Sequence, residues 1–288
     1  MTSEELLQKV RKIEIKTRSL SKNIFAGEYH SSFKGRGMTF TEVREYQPGD
    51  DVRSIDWNVT ARLNRPYIKV FEEERELTVM LLVDVSGSRQ FGTLTQIKRD
   101  MIAEVAATLA FSTIENNDKV GVILYSDKIE KYIPAKKGKT HVLHIIRELL
   151  SFEPTSTGTD TALALEYFNN AQKRRCTAFV ISDFIEPAKT LEKPLLVARN
   201  RHDIKAIQIY DRRDAELANV GLLKLRDAES GKRMWIDTSV DAVREAYTKH
   251  WQLQQESLAE LFTKTGTDNV AIRTNDDYVK GLMQLFRD

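Results

Sequence analysis

The stretch LTVMLLVDVSGS, residues 77–88, decides the fold. Leu77 to Val83 has the length and apolar density of a strand buried on both faces, and its apolar core, Val79 to Val83, is far shorter than the roughly 18 residues a membrane span needs. The run ends in Asp84, and Ser86-Gly87-Ser88 follow as turn formers. Beyond the turn, Ile97, Met101, Val105 and Leu109 recur every fourth residue along one helical face. Strand, turn and helix make one α/β unit.

The same alternation continues toward the C-terminus. Val120 to Tyr125 reads as a second strand, Ile129 to Ile133 as a short third, and helices are expected around His141 to Leu150 and Thr161 to Asn169. Ala178 to Ser182 is a strand ending in Asp183, followed by a helix near Leu191 to Arg199 and a strand near Ile204 to Tyr210. Leu222 to Ile236 reads as a hairpin around Glu229 to Lys232. A long helix then carries Val243, Tyr247, Trp251, Leu258 and Leu261, before strand Val270 to Arg273 and a last helix expected to be capped by Asn275. Strands alternating with helices predict a Rossmann-like, mostly parallel sheet with helices on both faces.

Toward the N-terminus the pattern differs. Thr2 and Glu5 fit a capping box before Leu6, Val10 and Ile13, which predicts an amphipathic helix. Ser31 to Glu76 reads as an irregular, strand-containing segment, with a turn at Gln47-Pro48-Gly49-Asp50-Asp51 and a strand-like run from Tyr67 to Phe71. Trp57, Tyr67, Ile68 and Phe71 are apolar enough to be expected under cover. The chain is therefore divided into a segment 1–76, expected to pack on the main domain, and a domain 77–288.

Composition excludes several classes. Of 288 residues, 41% are hydrophobic and 30% charged, which describes a soluble globular protein and not a disordered one. Lys and Arg number 44 against 42 Asp and Glu, a net charge of +2 too small and too scattered to predict a nucleic acid partner. No stretch is apolar enough for a membrane span. The start MTSEELLQKV lacks the basic and apolar regions of a secretory signal, and Cys176 is the sole cysteine, so a cytoplasmic location is expected. Gly138-Lys139-Thr140 is no phosphate loop, because the first glycine of that motif would fall at Ile133.

In an open parallel sheet, ligands collect where loops leave the carboxyl ends of the strands. Three oxygen-rich loops share that edge: Asp84-Val85-Ser86-Gly87-Ser88, Gly158-Thr159-Asp160-Thr161 and Ser182-Asp183. Such residues also cap helices and form turns, and Asp160 is best read as a cap. Together they suit Mg²⁺ (or Mn²⁺), a hard cation with near-octahedral oxygen ligands. Ser86, Ser88 and Thr159 can donate hydroxyl oxygens, while Asp84 and Asp183 orient bound waters or ligate. The pattern resembles the metal-ion-dependent adhesion site of the von Willebrand factor type A fold, with its elements in the expected order from Leu77 onward. An ion ligated mostly by neutral hydroxyls stays electrophilic, so a protein partner presenting an Asp or Glu carboxylate would complete its shell. Pair attraction near a protein surface is of order ~4 kcal/mol at 4 Å, before desolvation is subtracted.

Phe40, Arg44, Tyr46, Pro48-Gly49-Asp50-Asp51, Arg53, Ile55-Asp56-Trp57, Ala61-Arg62 and the Glu72 to Glu74 run resemble the signature of the domain of unknown function 58 family. That resemblance implies a type A domain directly after this segment and a MoxR-type AAA+ ATPase as partner, with no biochemical activity established for the family. Arg89 departs from the small or Met residue often found there. Arg44, Arg53 and Arg62 are expected to pair with Asp50, Asp51 and Asp56.

Two rival readings share the fold. A phosphatase-like hydrolase would use Asp84 as nucleophile, but its general acid would stand two residues later, where the chain has Ser86. A structural scaffold with a vestigial metal site would show no metal dependence. A zinc centre is disfavoured because His141 and His144 lack a third ligand beside them.

Overall fold

The computed structural model describes residues 38–73, 77–87, 98–226 and 233–286. The helix expected at the N-terminus, together with Ser88, Arg89, Ile97 and the turn at Glu229 to Lys232, lies outside them. The chain falls into two compact units that divide after Leu77.

In the first unit, β1 (Met38–Glu45) pairs antiparallel with β2 (Tyr67–Glu73). Between them lies α1 (Trp57–Leu63), a short helix where an irregular segment was expected. The Asp56 carboxylate starts it by accepting the N–H groups of Asn58 and Val59, and Asn64 ends it in the left-handed conformation at φ 57°. The turn after β1 is held by a two-pronged Arg44–Asp50 pair at 2.7 and 2.8 Å. Asp51 instead accepts the Arg53 backbone N–H, and the cation beside Asp56 is Lys69 at 3.5 Å, not Arg62. Ile68 is buried as expected, whereas Trp57 is 68% exposed, because it begins a helix with no buried residue.

The second unit holds a six-stranded sheet. Its strands are β3 (Thr78–Asp84), β4 (Lys119–Tyr125), β5 (Ile129–Lys136), β6 (Thr177–Ser182), β7 (Asp203–Tyr210) and β10 (Asp268–Arg273). The spatial order is β10-β7-β6-β3-β4-β5, parallel throughout except for β5 on its edge. Alternating side chains of β3 feed two cores. Val79, Leu81 and Val83 meet α2 (Lys98–Glu115), α3 (Lys139–Ser151) and α8 (Tyr278–Leu285), while Met80 and Leu82 meet α4 (Thr161–Ala171), α5 (Ala188–Arg201) and α7 (Asp241–Thr265). The last helix is capped by Asp277, not by Asn275, which takes a positive φ of 70° instead. A four-residue helix α6 (Arg212–Ala215) follows β7 and leads into the hairpin β8 (Leu222–Arg226) and β9 (Arg233–Asp237), whose Leu222 and Trp235 are exposed. Among the described residues, no helix is long and apolar enough to cross a membrane.

From β3 the chain moves outward through β4 to β5, then returns to lay β6 on the other side of β3. Strands β3 and β6 thus flank the point where the winding reverses, the position at which ligands bind in open α/β sheets.

Close packing between β3, β4 and β5 depends on Gly121. A Cβ there would stand 2.8 Å from Met80 Sδ, 2.8 Å from Ala135 N and 2.9 Å from Ile133 O, and backbone atoms of the neighbouring strand have little room to move. Gly121→Ala is expected to cost about 1–3 kcal/mol in urea denaturation. An unchanged midpoint would show that β5 is not held against β4 as described.

Candidate metal centre at the carboxyl edge of the sheet

Asp84 ends β3 inside the molecule, 2% exposed. Its Oδ1 accepts the Ser86 N–H at 2.8 Å, which turns the chain back sharply after the strand. Its Oδ2 accepts the Ser182 hydroxyl at 2.8 Å, a bond that crosses from β3 to β6. Ser182 Oγ in turn accepts the Phe184 N–H at 3.1 Å. Phe184 is buried with φ 52°, a conformation costing a bulky residue of order 1 kcal/mol, and its ring packs edge-on against Phe262.

Backbone bonds bring the other loops to this point. Val85 N–H donates to Tyr125 O at 2.8 Å, Gly87 N–H to Thr157 O at 3.0 Å, and Asp160 N–H to Ser126 O at 2.9 Å. The Glu130 carboxylate pins the loop before Thr159 by accepting the Thr155 N–H and O–H at 3.0 and 2.8 Å and the Ser156 N–H at 3.2 Å. Asp160 caps α4 through Leu163 N–H, as its position in the sequence predicts. The structure therefore joins Asp84, Ser86, Asp183 and the Thr159 loop, and Ser88 is the one predicted residue outside the described set.

Two features bear on what this edge can hold. Among the described residues, Thr159 Oγ1 is buried without a hydrogen-bond partner. Asp183, also buried, receives the ammonium of Lys98 at 3.2 Å, and the same ammonium lies 2.7 Å from Asp214. Lys98 and Glu130 carry no local signal in the sequence; Ser182 belongs to an oxygen-rich loop there but is given no role of its own. Burial, and then the charge of Asp183, push the Asp84 carboxyl up to about 7. Burial favours the neutral amine of Lys98, but the Asp183 and Asp214 carboxylates prevail and raise its pKa. A buried hydroxyl that lacks a partner among the described residues, on a loop bonded to the one that leaves β3, suits a hard cation with oxygen ligands. Among the described residues no group of three or more His, Cys, Asp or Glu is placed to hold a metal, so such an ion would depend on hydroxyl oxygens. His141 instead donates from Nε2 to Val120 O at 2.9 Å, and the Cys176 thiol, buried and pushed up to about 12 chiefly by that burial, is packing.

A family model described as "Protein of unknown function DUF58" matches residues 42–257. The chain belongs to the DUF58 family. An uncharacterised protein, Rv1480, of Mycobacterium tuberculosis is 30% identical over 283 residues, covering 97% of this chain and 88% of its own length. The uncharacterised YeaD of Bacillus subtilis is 29% identical over 122 residues, 42% of this chain and 27% of its own. Among solved structures, an aerotolerance-related membrane protein from Bacteroides fragilis aligns at 16% identity and TM-score 0.49, over 73% of this chain and 96% of its own. The von Willebrand factor type A domain of SpRpn10 aligns at 14% identity and TM-score 0.39, over 73% of this DUF58 chain and 93% of its own. The strand order and the winding reversal at β3 define the α/β architecture here.

The state of Asp84 makes the edge sensitive to pH. Its folded pKa of about 7 exceeds the ordinary 3.8, so the native chain binds more protons and metal-free stability falls as pH rises from about 4 to about 7. Asp84→Asn is expected to flatten that fall in chelator, leaving a protein at least as stable as the wild type near pH 7. Equal destabilisation at both ends of the window, measured by chemical denaturation, would make Asp84 an ordinary capping residue.

Proposed function

We propose that this chain is a non-catalytic protein-interaction module that binds a carboxylate of a protein partner through Mg²⁺ or Mn²⁺ at the carboxyl edge of its sheet. The observation that supports it most strongly is Thr159 Oγ1, buried without a partner among the described residues, in a loop whose Thr157 carbonyl accepts the Gly87 N–H of the Ser86 loop. An unsatisfied buried hydroxyl costs about 1–3 kcal/mol, and a hard cation offers it a partner. Ser86, Ser88 and Thr159 would supply hydroxyl oxygens, while Asp84 and Asp183 would hold bound waters or ligate. When bound, the ion supplies an electrophilic position for an incoming carboxylate. The protein's part is to hold the carboxylates of this edge in place: Asp84 accepts two hydrogen bonds and Asp183 pairs with Lys98.

The partner we propose is a MoxR-type AAA+ ATPase presenting an Asp or Glu side chain, as membership of the family suggests, and the compartment is the cytoplasm. A hydrolase reading is weaker, because Ser86 stands where its general acid would be, and its N–H is bound to the carboxylate that would have to attack.

Millimolar Mg²⁺ is expected to raise the melting temperature of the wild type, since a ligand that binds only the native state stabilises it by mass action. Thr159→Val should remove that rise while leaving the chelator-treated protein as stable as before or more so, and capture of the ATPase should be lost with it. A Mg²⁺ response unchanged in Thr159→Val would place the metal elsewhere.

A further inference from the structure

Lys98 is 1% exposed, an unusual place for an ammonium, which is costly to bury unless paired. It reaches Asp183 across 85 positions of sequence at 3.2 Å and Asp214 at 2.7 Å, so α2 is tied both to the end of β6 and to α6 after β7. Asp214 is fixed independently, because its Oδ2 also accepts the Asp211 N–H at 2.7 Å in the capping box of α6. Asp183 is held by its backbone, whose carbonyl accepts from Gln208 Nε2 at 3.1 Å. Two carboxylates thus share one cation, and the contact with the candidate metal ligand is the longer of the two.

We propose that Lys98 is a built-in counter-cation that sets the metal affinity of the site: it balances Asp183 in the metal-free protein and competes with a divalent ion for that carboxylate, while Asp214 draws it away. This rests on the metal-binding reading above and adds the residue pair that tunes it. A buried carboxylate beside Asp84 without its own cation would repel it strongly; with Lys98 present the metal-free site stays folded, and an entering ion has to take Asp183 from an existing pair. The Asp214 carboxylate lowers that barrier by giving the ammonium a second partner. The two residues therefore act in opposite directions on one equilibrium, which a purely structural ion pair would not do.

The test is isothermal titration of the full-length chain, stripped with chelator, with Mg²⁺ and with Mn²⁺. Lys98→Met is expected to bind at least tenfold more tightly than wild type, with a lower metal-free melting temperature that metal restores. Asp214→Asn, which keeps an oxygen to accept the Asp211 N–H, is expected to bind severalfold more weakly, because the carboxylate that draws the ammonium from Asp183 is then gone; it carries the test if Lys98→Met does not fold. Unchanged affinity in the variants, or loss of binding in Lys98→Met, would overturn the competition while leaving the metal site standing. No binding of either metal by wild type and both variants would overturn the metal reading and this proposal together. Binding by Lys98→Met but not by wild type would be the strongest form of the result expected.

Discussion

A carboxylate buried between two strands governs the arrangement of this edge. Asp84 cannot be withdrawn from water without partners, and those partners are the Ser86 N–H on its own turn and the Ser182 hydroxyl on the adjacent strand. The first bond folds the β3 loop back over the strand end; the second fixes the register in which β6 delivers Asp183. Because β3 and β6 flank the reversal of winding, the crevice that topology opens is also the place where these two acidic residues are brought together. Burial, and then the charge of Asp183, push Asp84 toward neutrality.

Much of this was legible from local pattern. The strands of the sheet follow from apolar runs of fixed length, and both acidic strand ends from the residue that closes each run. Asp160 could be assigned as a cap because capping is decided within one turn. What failed was also local in cause: Asp56 starts a helix at Trp57 that too few apolar positions announce, and Trp57 lies on a helix that buries none of its side chains. At the C-terminus Asp277 and not Asn275 supplies the capping oxygen, a choice between two neighbouring polar residues that spacing alone does not settle. Lys98 was beyond reach for a different reason. Only the tertiary fold brings Asp183 to it from the end of β6 and Asp214 from α6.

The charge distribution at the edge separates hydroxyl oxygens from carboxylates that are already engaged. Among the described residues Thr159 Oγ1 has no partner, both Asp84 oxygens accept hydrogen bonds, and Asp183 pairs with an ammonium that it shares with Asp214. In the proposed function, such a site would hold a divalent ion whose remaining positive charge would meet an anionic group of the partner.

The central claim is that Ser86 and Thr159 converge on one cation. Its most direct test is anomalous diffraction from crystals of the full-length chain soaked in Mn²⁺. The account predicts one strong peak at ligand distance, about 2.0–2.6 Å for hard cations, from the hydroxyl oxygens of Ser86 and Thr159. A map without a peak between these loops, with Thr159 Oγ1 instead satisfied by an ordered water or by the Lys98 ammonium, would contradict it.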